Sequence, residues 1–380
     1  MSGIDIEDLR VVEPKTEEEV SEMLRCADRD GVAVIPRGGG TKLAWGNPPA
    51  RAGLILSTAC LNRIVEHAWA DLTVTVEAGC RFAELQRALA THGQRLALDP
   101  LWPETATIGG ILSTNDSGVW RLAYGGLRDL ILGITLVLAD GTIARSGGKV
   151  VKNVAGYDLP KLATGALGTL GVIMQTTFRL HPLPRNTRML TLVPADLAEA
   201  QALLLRIQDT NLAHTALQVR AEAGKPPEMD ILLEGTEAGI AAQRARIAAL
   251  AGPAQVAEAA DSVWLARQQI ANRDAVAKCS VLPARIANAI TAVEHAGDRS
   301  WRAVFQATGL GWISVDAPLE PLRAEIESQG GTLTVLRQSP GRAPIDAWGD
   351  PGDTLPLMRS IKQRFDTKST LNPGRFVGGI

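Results

Sequence analysis

Glycine carries the first chemical signal in this chain. Residues 32–35 form a short apolar, β-branched run that leads through Pro36 into Arg37-Gly38-Gly39-Gly40-Thr41-Lys42. Three successive glycines let the main chain curl until several N–H groups converge, and such a nest suits a phosphate or pyrophosphate. Arg37 and Lys42 flank the loop and would add charge-assisted contacts; either serves equally as a solvated surface cation, and a plain turn between strands is the alternative to the nest. A second set, Thr105, Thr107, Ser113, Thr114, Asn115 and Ser117, is interleaved with Gly109, Gly110 and Gly118. Small donors and acceptors beside exposed backbone are how a large, polar, non-reactive part of a cofactor is held. A third series, Gly165, Gly168 and Gly171, also fits close packing of a helix end against a strand.

Other chemistries are disfavoured. No G-x-G-x-x-G follows a strand, and Gly147-Gly148-Lys149 lacks the upstream glycine and the Ser/Thr of a P-loop, which argues against a Rossmann dehydrogenase or a P-loop ATPase. Cys26, Cys60, Cys80 and Cys279 lie 34, 20 and 199 residues apart, so there is no C-x-x-C pair, zinc pattern or iron–sulfur run. They read as small buried hydrophobes in a reducing compartment.

The elements that must position the loops are legible from periodicity. Thr16 and Glu19 form a capping box ahead of Val20, Met23, Leu24 and Ala27 at helical spacing, and Gly31 ends that helix. An alternating strand at 72–77 precedes a helix at 81–92 with Phe82, Leu85 and Leu89 on one side. Residues 99–128, rich in Pro, Gly, Ser, Thr and Asn, read as a long irregular loop, functional or disordered. Runs 130–138 and 142–145 form a hairpin about Asp140-Gly141, and a strand at 172–180 closes at His181-Pro182-Leu183-Pro184, where a domain boundary is placed. Beyond it, 275–282, 284–297, 302–306, 312–315, 319–329 and 332–337 read as strand, helix, two strands, helix, strand. That is the ferredoxin-like order, and a less regular set upstream extends the same sheet.

A chain of 380 residues holds two or three domains. Its 39 basic and 41 acidic residues imply no general attraction to nucleic acid. Asp5, Glu7 and Asp8 stand where a secretory signal would be basic and then apolar, and the longest apolar run, 130–139, falls well short of the roughly 20 residues that span a bilayer. A cytoplasmic protein without direct membrane insertion is expected, any membrane association coming through a complex.

Taken together the loops resemble the flavin-binding domain of the vanillyl-alcohol oxidase, or PCMH-type, family. Pro36 to Thr41 looks like its pyrophosphate loop. Asp99-Pro100, Ala106-Thr107-Ile108-Gly109-Gly110 and Asn115-x-x-Gly118 look like its second FAD-contacting segment, and Tyr124-Gly125-Gly126-Leu127-Arg128-Asp129 also follows the pattern. In residues 165–173 the family's backbone near Ile173 faces the adenine. Within the family the likeness is greatest to the E-subunit group of bacterial glycolate oxidases, through Trp45-Gly46, Lys152-Asn153-Val154-Ala155-Gly156-Tyr157-Asp158 and Leu371-Asn372-Pro373-Gly374-Arg375. The resemblance implies non-covalent FAD, because Thr41 stands where some flavin-linking relatives have histidine. It implies cofactor contacts from Pro36, Arg37, Gly38, Gly39, Gly40, Thr41, Lys42, Pro100, Thr107, Ile108, Gly109, Gly110, Ser113, Asn115, Ser117, Gly118, Gly168, Gly171 and Ile173, and from Asn372 and Arg375 in a returning tail. A helix-ending turn explains Pro373-Gly374 equally well.

One departure concerns the catalytic relatives, such as D-lactate dehydrogenases and the glycolate oxidase D subunit, which carry histidines and an acid in the second domain for a metal and the substrate carboxylate. Here only His214 and His295 follow His181, with no ligand-like spacing. His67, His92 and His181 read as surface or capping residues. Trp102, Trp120, Tyr124 and Tyr157 pack on the flavin, on a partner or in the core, and Lys149, Lys152 and Asp158 shape the ring's surroundings or are solvated.

The reading is an α+β fold: a two-subdomain PCMH-type FAD-binding domain (1–184), a ferredoxin-like α/β cap (185–350), and a C-terminal segment (351–380) returning to the first domain, with FAD between domain and cap. The implied function is the FAD-binding subunit of a glycolate oxidase complex, with an FAD-containing D subunit, an iron–sulfur F subunit and a small 2-hydroxy acid as partners, no metal, and no assigned catalytic residue. A stand-alone oxidoreductase of a sugar alcohol or lactone and a non-catalytic assembly subunit are the alternatives.

Overall fold

The computed structural model describes residues 9–148, 157–297 and 299–380, so Asp5, Glu7, Asp8, Lys149 and the 152–156 part of the Lys152-to-Asp158 motif lie outside the described residues. The chain divides into two compact units. One takes the described residues up to 117 with 125–183 and 350–380; the other takes 118–124 and 184–349.

The first unit begins with β1 (Arg10–Val12), α1 (Glu17–Asp30), β2 (Val34–Arg37) and β3 (Leu54–Ser57), the strands forming a parallel sheet in the order β1-β3-β2. Thr16 Oγ1 accepts the N–H of Glu19 at 3.1 Å, and the Glu19 carboxylate takes the N–H of Lys15 at 2.6 Å. This satisfies orphan donors at the helix start, and Gly31 at φ +71° ends the helix in the left-handed conformation that glycine adopts without strain. Val20, Leu24 and Ala27 bury against Val34, Leu56 and Leu371, which anchors the strand feeding the glycine loop.

Next come β4 (Ile64–Ala68), β5 (Thr73–Glu77), α2 (Phe82–Ala90), β6 (Gln94–Arg95), α3 (Ile108–Ser113), α4 (Arg121–Tyr124, in the second unit), α5 (Leu127–Leu130), β7 (Ile131–Val137), β8 (Ile143–Gly147), α6 (Leu159–Ala163), β9 (Val172–Arg179) and β10 (His181–Pro182). An antiparallel sheet runs β4-β5-β9-β7-β8, while β10 pairs with β6. Two expectations need correction. Leu72 is not in β5 but turns into it at φ +53°, and every residue of β5 is buried, so its alternation does not mark a solvent face. The stretch 99–128 is not one irregular loop: α3 forms within it because Ile108, Ile111 and Leu112 share a buried face that outweighs the low helix propensity of Gly109 and Gly110.

The second unit holds β11 (Asn186–Val193), α7 (Leu197–Gln208), β12 (His214–Glu222), β13 (Glu228–Gly235), α8 (Glu237–Ala251), β14 (Gln255–Glu258), α9 (Ala266–Ala271), β15 (Val276–Ser280), α10 (Ile286–Ala296), β16 (Arg302–Gln306), β17 (Leu310–Ser314), α11 (Leu319–Ser328) and β18 (Thr332–Arg337). Its eight strands order as β14-β11-β13-β12-β16-β17-β15-β18. Both halves are therefore βαββαβ repeats of the ferredoxin-like kind, joined through their second strands β12 and β16. The upstream set is a full second copy and not only an extension. α7, α10 and α11 bury Leu203, Ile290 and Leu322 in the core on one sheet face. The chain then returns through α12 (Leu355–Phe365) to Leu371, which bridges in parallel to Val34. No helix of the described residues is long and apolar enough to cross a membrane.

Candidate functional site

In the first unit β2 runs out at Arg37 into an open cleft of about 700 Å³, counted with its mouth. Pro36, Arg37, Gly38, Gly39, Gly40, Thr41 and Lys42 form one wall. Thr107, Gly109, Gly110 and Ser113 come from the start and body of α3, Gly168, Gly171 and Ile173 from the turn into β9, and Asn372 and Arg375 from the tail. The structure thus gathers these segments from across the chain. Pro100, Ile108, Asn115 and Ser117 do not line the cleft: the Ile108 side chain lies in the apolar core, Pro100 and Ser117 are buried, and Asn115 sits against Gly165. Gly118 falls in the second unit. Leu43, Thr58, Ala78, Leu167 and Val172 also line the cleft and escaped sequence reasoning, since an isolated apolar or hydroxyl residue carries no motif.

The three glycines have distinct reasons. A Cβ at Gly38 would overlap the Thr107 hydroxyl, and one at Gly39 would fall on the Thr105 carbonyl oxygen. Gly40 takes φ +74°, and the Leu43 N–H closes a turn on its carbonyl at 3.3 Å. Two of the three are therefore required by the close passage of the 105–107 segment as much as by any ligand. The Gly39 N–H lies 3.4 Å from Thr107 Oγ1, which ties the two loops together.

The cations divide. Arg37 is half-buried on the cleft wall. Lys42, by contrast, points its ammonium at Asp116 Oδ2 at 3.1 Å with both side chains almost fully buried, 5.7 and 5.4 Å from the ring centres of Trp45 and Trp102. Asp116 also takes the Leu101 N–H at 2.9 Å. The alternative that Lys42 is a solvated surface cation is corrected: its side chain is buried and its charge is matched by a buried carboxylate. Arg375 donates to the carbonyls of Leu43 and, at 2.7 Å, Trp45, and burial pushes its pKa down to about 10. Asn372 Nδ2 donates to the Leu167 carbonyl at 2.6 Å, while its Oδ1 is buried with no hydrogen-bond partner. The glycine loop, Arg37, the buried Arg375 and an orphaned acceptor on one cleft suit a large, polar, anionic group such as FAD.

Residues 9–147 match a family model described as "FAD binding domain". The chain is 38% identical over 180 residues to "Glycolate oxidase subunit GlcD" of Bacillus subtilis and 40% identical over 187 residues to "D-lactate dehydrogenase" of Archaeoglobus fulgidus. These segments are 47% and 49% of this chain but only 38% and 42% of those relatives, so the chain spans about two fifths of their length. The cofactor is FAD. In structure the chain is similar to p-cresol methylhydroxylase, with a TM-score of 0.76 at 17% identity over 96% of this chain and 88% of that one. The fold is therefore the α+β one of the PCMH-type flavoproteins.

Outside the cleft of the FAD-binding domain, Tyr157 is exposed, and Asp158 caps α6 by accepting the Lys161 N–H at 3.2 Å. Tyr124 donates to Glu234 at 2.8 Å and Trp120 packs against the cluster of Val119, Ala216 and Leu232, so both serve the second unit. His67 bonds Gln94 at 2.9 Å and meets His92 edge-on at 4.9 Å; burial, with Arg179 and Arg95, lowers the His181 pKa. His214 bonds the Leu212 carbonyl at 3.1 Å with its pKa lowered by burial, and His295 lies in the last turn of α10. Among the described residues no three His, Cys, Asp or Glu side chains converge as metal ligands. Sequence reasoning also missed a buried network on the second sheet, where Asp230 accepts from Arg220 Nε at 2.6 Å and Nη2 at 2.9 Å, from Gln218 at 2.8 Å and from Thr191 at 2.7 Å.

Proposed function

We propose that this chain is the FAD-binding subunit of a glycolate oxidase (glycolate dehydrogenase) complex that oxidises glycolate to glyoxylate and delivers the electrons to an iron–sulfur subunit. At the coarser level the reading is an FAD-dependent oxidoreductase of 2-hydroxy acids, in keeping with the names of the relatives that about half of the chain matches. The observation that carries it is the convergence of the 36–42 loop, α3, the 167–173 turn and the 372–375 tail on one cleft.

In this reading the backbone of residues 38–41 and Arg37 hold the pyrophosphate, the 168–173 segment takes the adenosine end, and Asn372 and Arg375 close the wall. Thr41 offers no linking atom of the histidine kind, so FAD is bound without a covalent bond. When bound, the isoalloxazine accepts a hydride and returns electrons one or two at a time. The protein's part is to fix the cofactor and to exclude water from it. His214 and His295 occupy the start of β12 and the end of α10, which supports a relay subunit whose substrate is oxidised on a partner.

The test is an anaerobic spectrum of the purified flavoprotein before and after glycolate or D-lactate. The relay reading expects the flavin bands to survive substrate alone and to bleach once the partner subunits are added. Bleaching by glycolate in the isolated chain would place oxidation here, and turnover of a sugar alcohol or lactone would favour a stand-alone enzyme.

A further inference from the structure

The tail that supplies Asn372 and Arg375 is held by a buried lysine. Along α12 the residue removed from solvent is Lys362, whose side chain is 7% exposed. Its ammonium donates to the Thr169 carbonyl at 2.8 Å, to the Leu371 carbonyl at 3.0 Å and to Asp366 Oδ2 at 2.5 Å. The Asp366 carboxylate, fully buried, in turn accepts the N–H groups of Thr370 and Leu371, each at 2.7 Å. All three protons of the ammonium are thus directed, one to the turn between Gly168 and Gly171, one to the tail and one to Asp366, which caps the end of α12.

Such a pair is a poor way merely to fill space, because well-packed apolar residues of similar volume stabilise as much or more. What it adds is direction. The tail needs it: Ser369 and Asn372 sit at φ +54° and +45°, left-handed conformations that non-glycine residues keep only where their surroundings over-determine them. Leu371 meanwhile pairs with Val34, on the strand that enters the glycine loop.

We propose that Lys362 and Asp366 are positioning residues for the cofactor: they lock residues 370–372 against both β2 and the 167–171 turn, and thereby set where Asn372 and Arg375 stand in the cleft wall. The inference rests on the cleft being the FAD site, and Gly39→Val tests that premise separately.

The experiment titrates FAD into the apoprotein, following quenching of flavin fluorescence well below the thermal midpoint, for Asp366→Asn, Lys362→Met, Asn372→Ala and the double variant Asp366→Asn/Asn372→Ala. Asp366→Asn keeps the volume and the lysine, so it carries the test if Lys362→Met does not fold. A positioning role raises the FAD Kd of Asp366→Asn at least tenfold, and the double variant binds no more weakly than the weaker single one, because both act through one contact. Limited trypsin digestion of Asp366→Asn, at a temperature where far-UV circular dichroism is unchanged, cleaves faster after the exposed Lys368. A folded Asp366→Asn with a Kd within twofold of the parent overturns the proposal, as do single effects that multiply in the double variant. If Gly39→Val binds FAD as the parent does, the cleft reading fails instead.

Discussion

At the scale of single residues, the two cations of the glycine loop do different work. Lys42 is matched by Asp116 in a buried pair, so Lys42→Met leaves a carboxylate without its partner and is expected to cost roughly 3–5 kcal/mol of stability, read by urea denaturation. Arg37 stands half-buried on the cleft wall; Arg37→Gln should change stability by less than about 0.5 kcal/mol while weakening FAD and flattening the salt dependence of its binding. Equal effects on stability would show that the structural division between them is wrong. A third residue sets a pH dependence. Burial lowers the His214 pKa below its unfolded value near 6.5, so the folded chain prefers the neutral ring. That contribution is complete above the unfolded pKa and is lost as pH falls towards the folded one. Stability measured from pH 7.5 down to 5 should decline, and His214→Asn should decline less. Sequence alone could name Arg37, Lys42 and the three glycines, because triple glycine is rare. It could not see that Lys42 meets Asp116, since 74 positions separate them and an aspartate in a polar stretch looks solvated.

At the scale of elements, α1, the β7–β8 hairpin and the second βαββαβ repeat were legible because each carries its own punctuation: Thr16 and Gly31, Asp140-Gly141, and apolar runs of the right period. α3 was not, because Gly109 is dictated by close approach and not by helix propensity; a Cβ there would stand 2.9 Å from that of Ala78. The first βαββαβ repeat was blurred by α8, whose alanines are apolar on every side and give no helical period. These elements make quantitative demands. Leu24, fully buried between α1 and the parallel sheet, should cost about 2–5 kcal/mol as Leu24→Ala, whereas Thr16→Ala removes only a cap and about 1 kcal/mol. Denaturant midpoints of the two variants check the order, and the reverse ranking would mean that α1 is not held by its apolar face.

At the scale of the whole molecule, the cleft is assembled from residues 36–43, 107–114, 167–173 and 372–375, so its wall is complete only when the tail has returned to the glycine loop. Such a site binds only the folded state. At a free FAD concentration one hundred times Kd, the FAD-binding domain should gain about 2.7 kcal/mol, seen as a rise in its thermal midpoint. The family resemblance was readable early because the loops are local in sequence, while the closing contribution of the tail depends on Leu371 meeting Val34, a pairing that no local pattern contains.

The most direct measurement compares the visible spectrum and FAD affinity of the parent chain with those of Gly39→Val, a change that drives a side chain into the Thr105 carbonyl at the floor of the loop. The account predicts a yellow parent that releases intact FAD on acid precipitation, and a Gly39→Val chain that keeps its far-UV circular dichroism yet takes up no FAD. A folded Gly39→Val protein as yellow as the parent would contradict it.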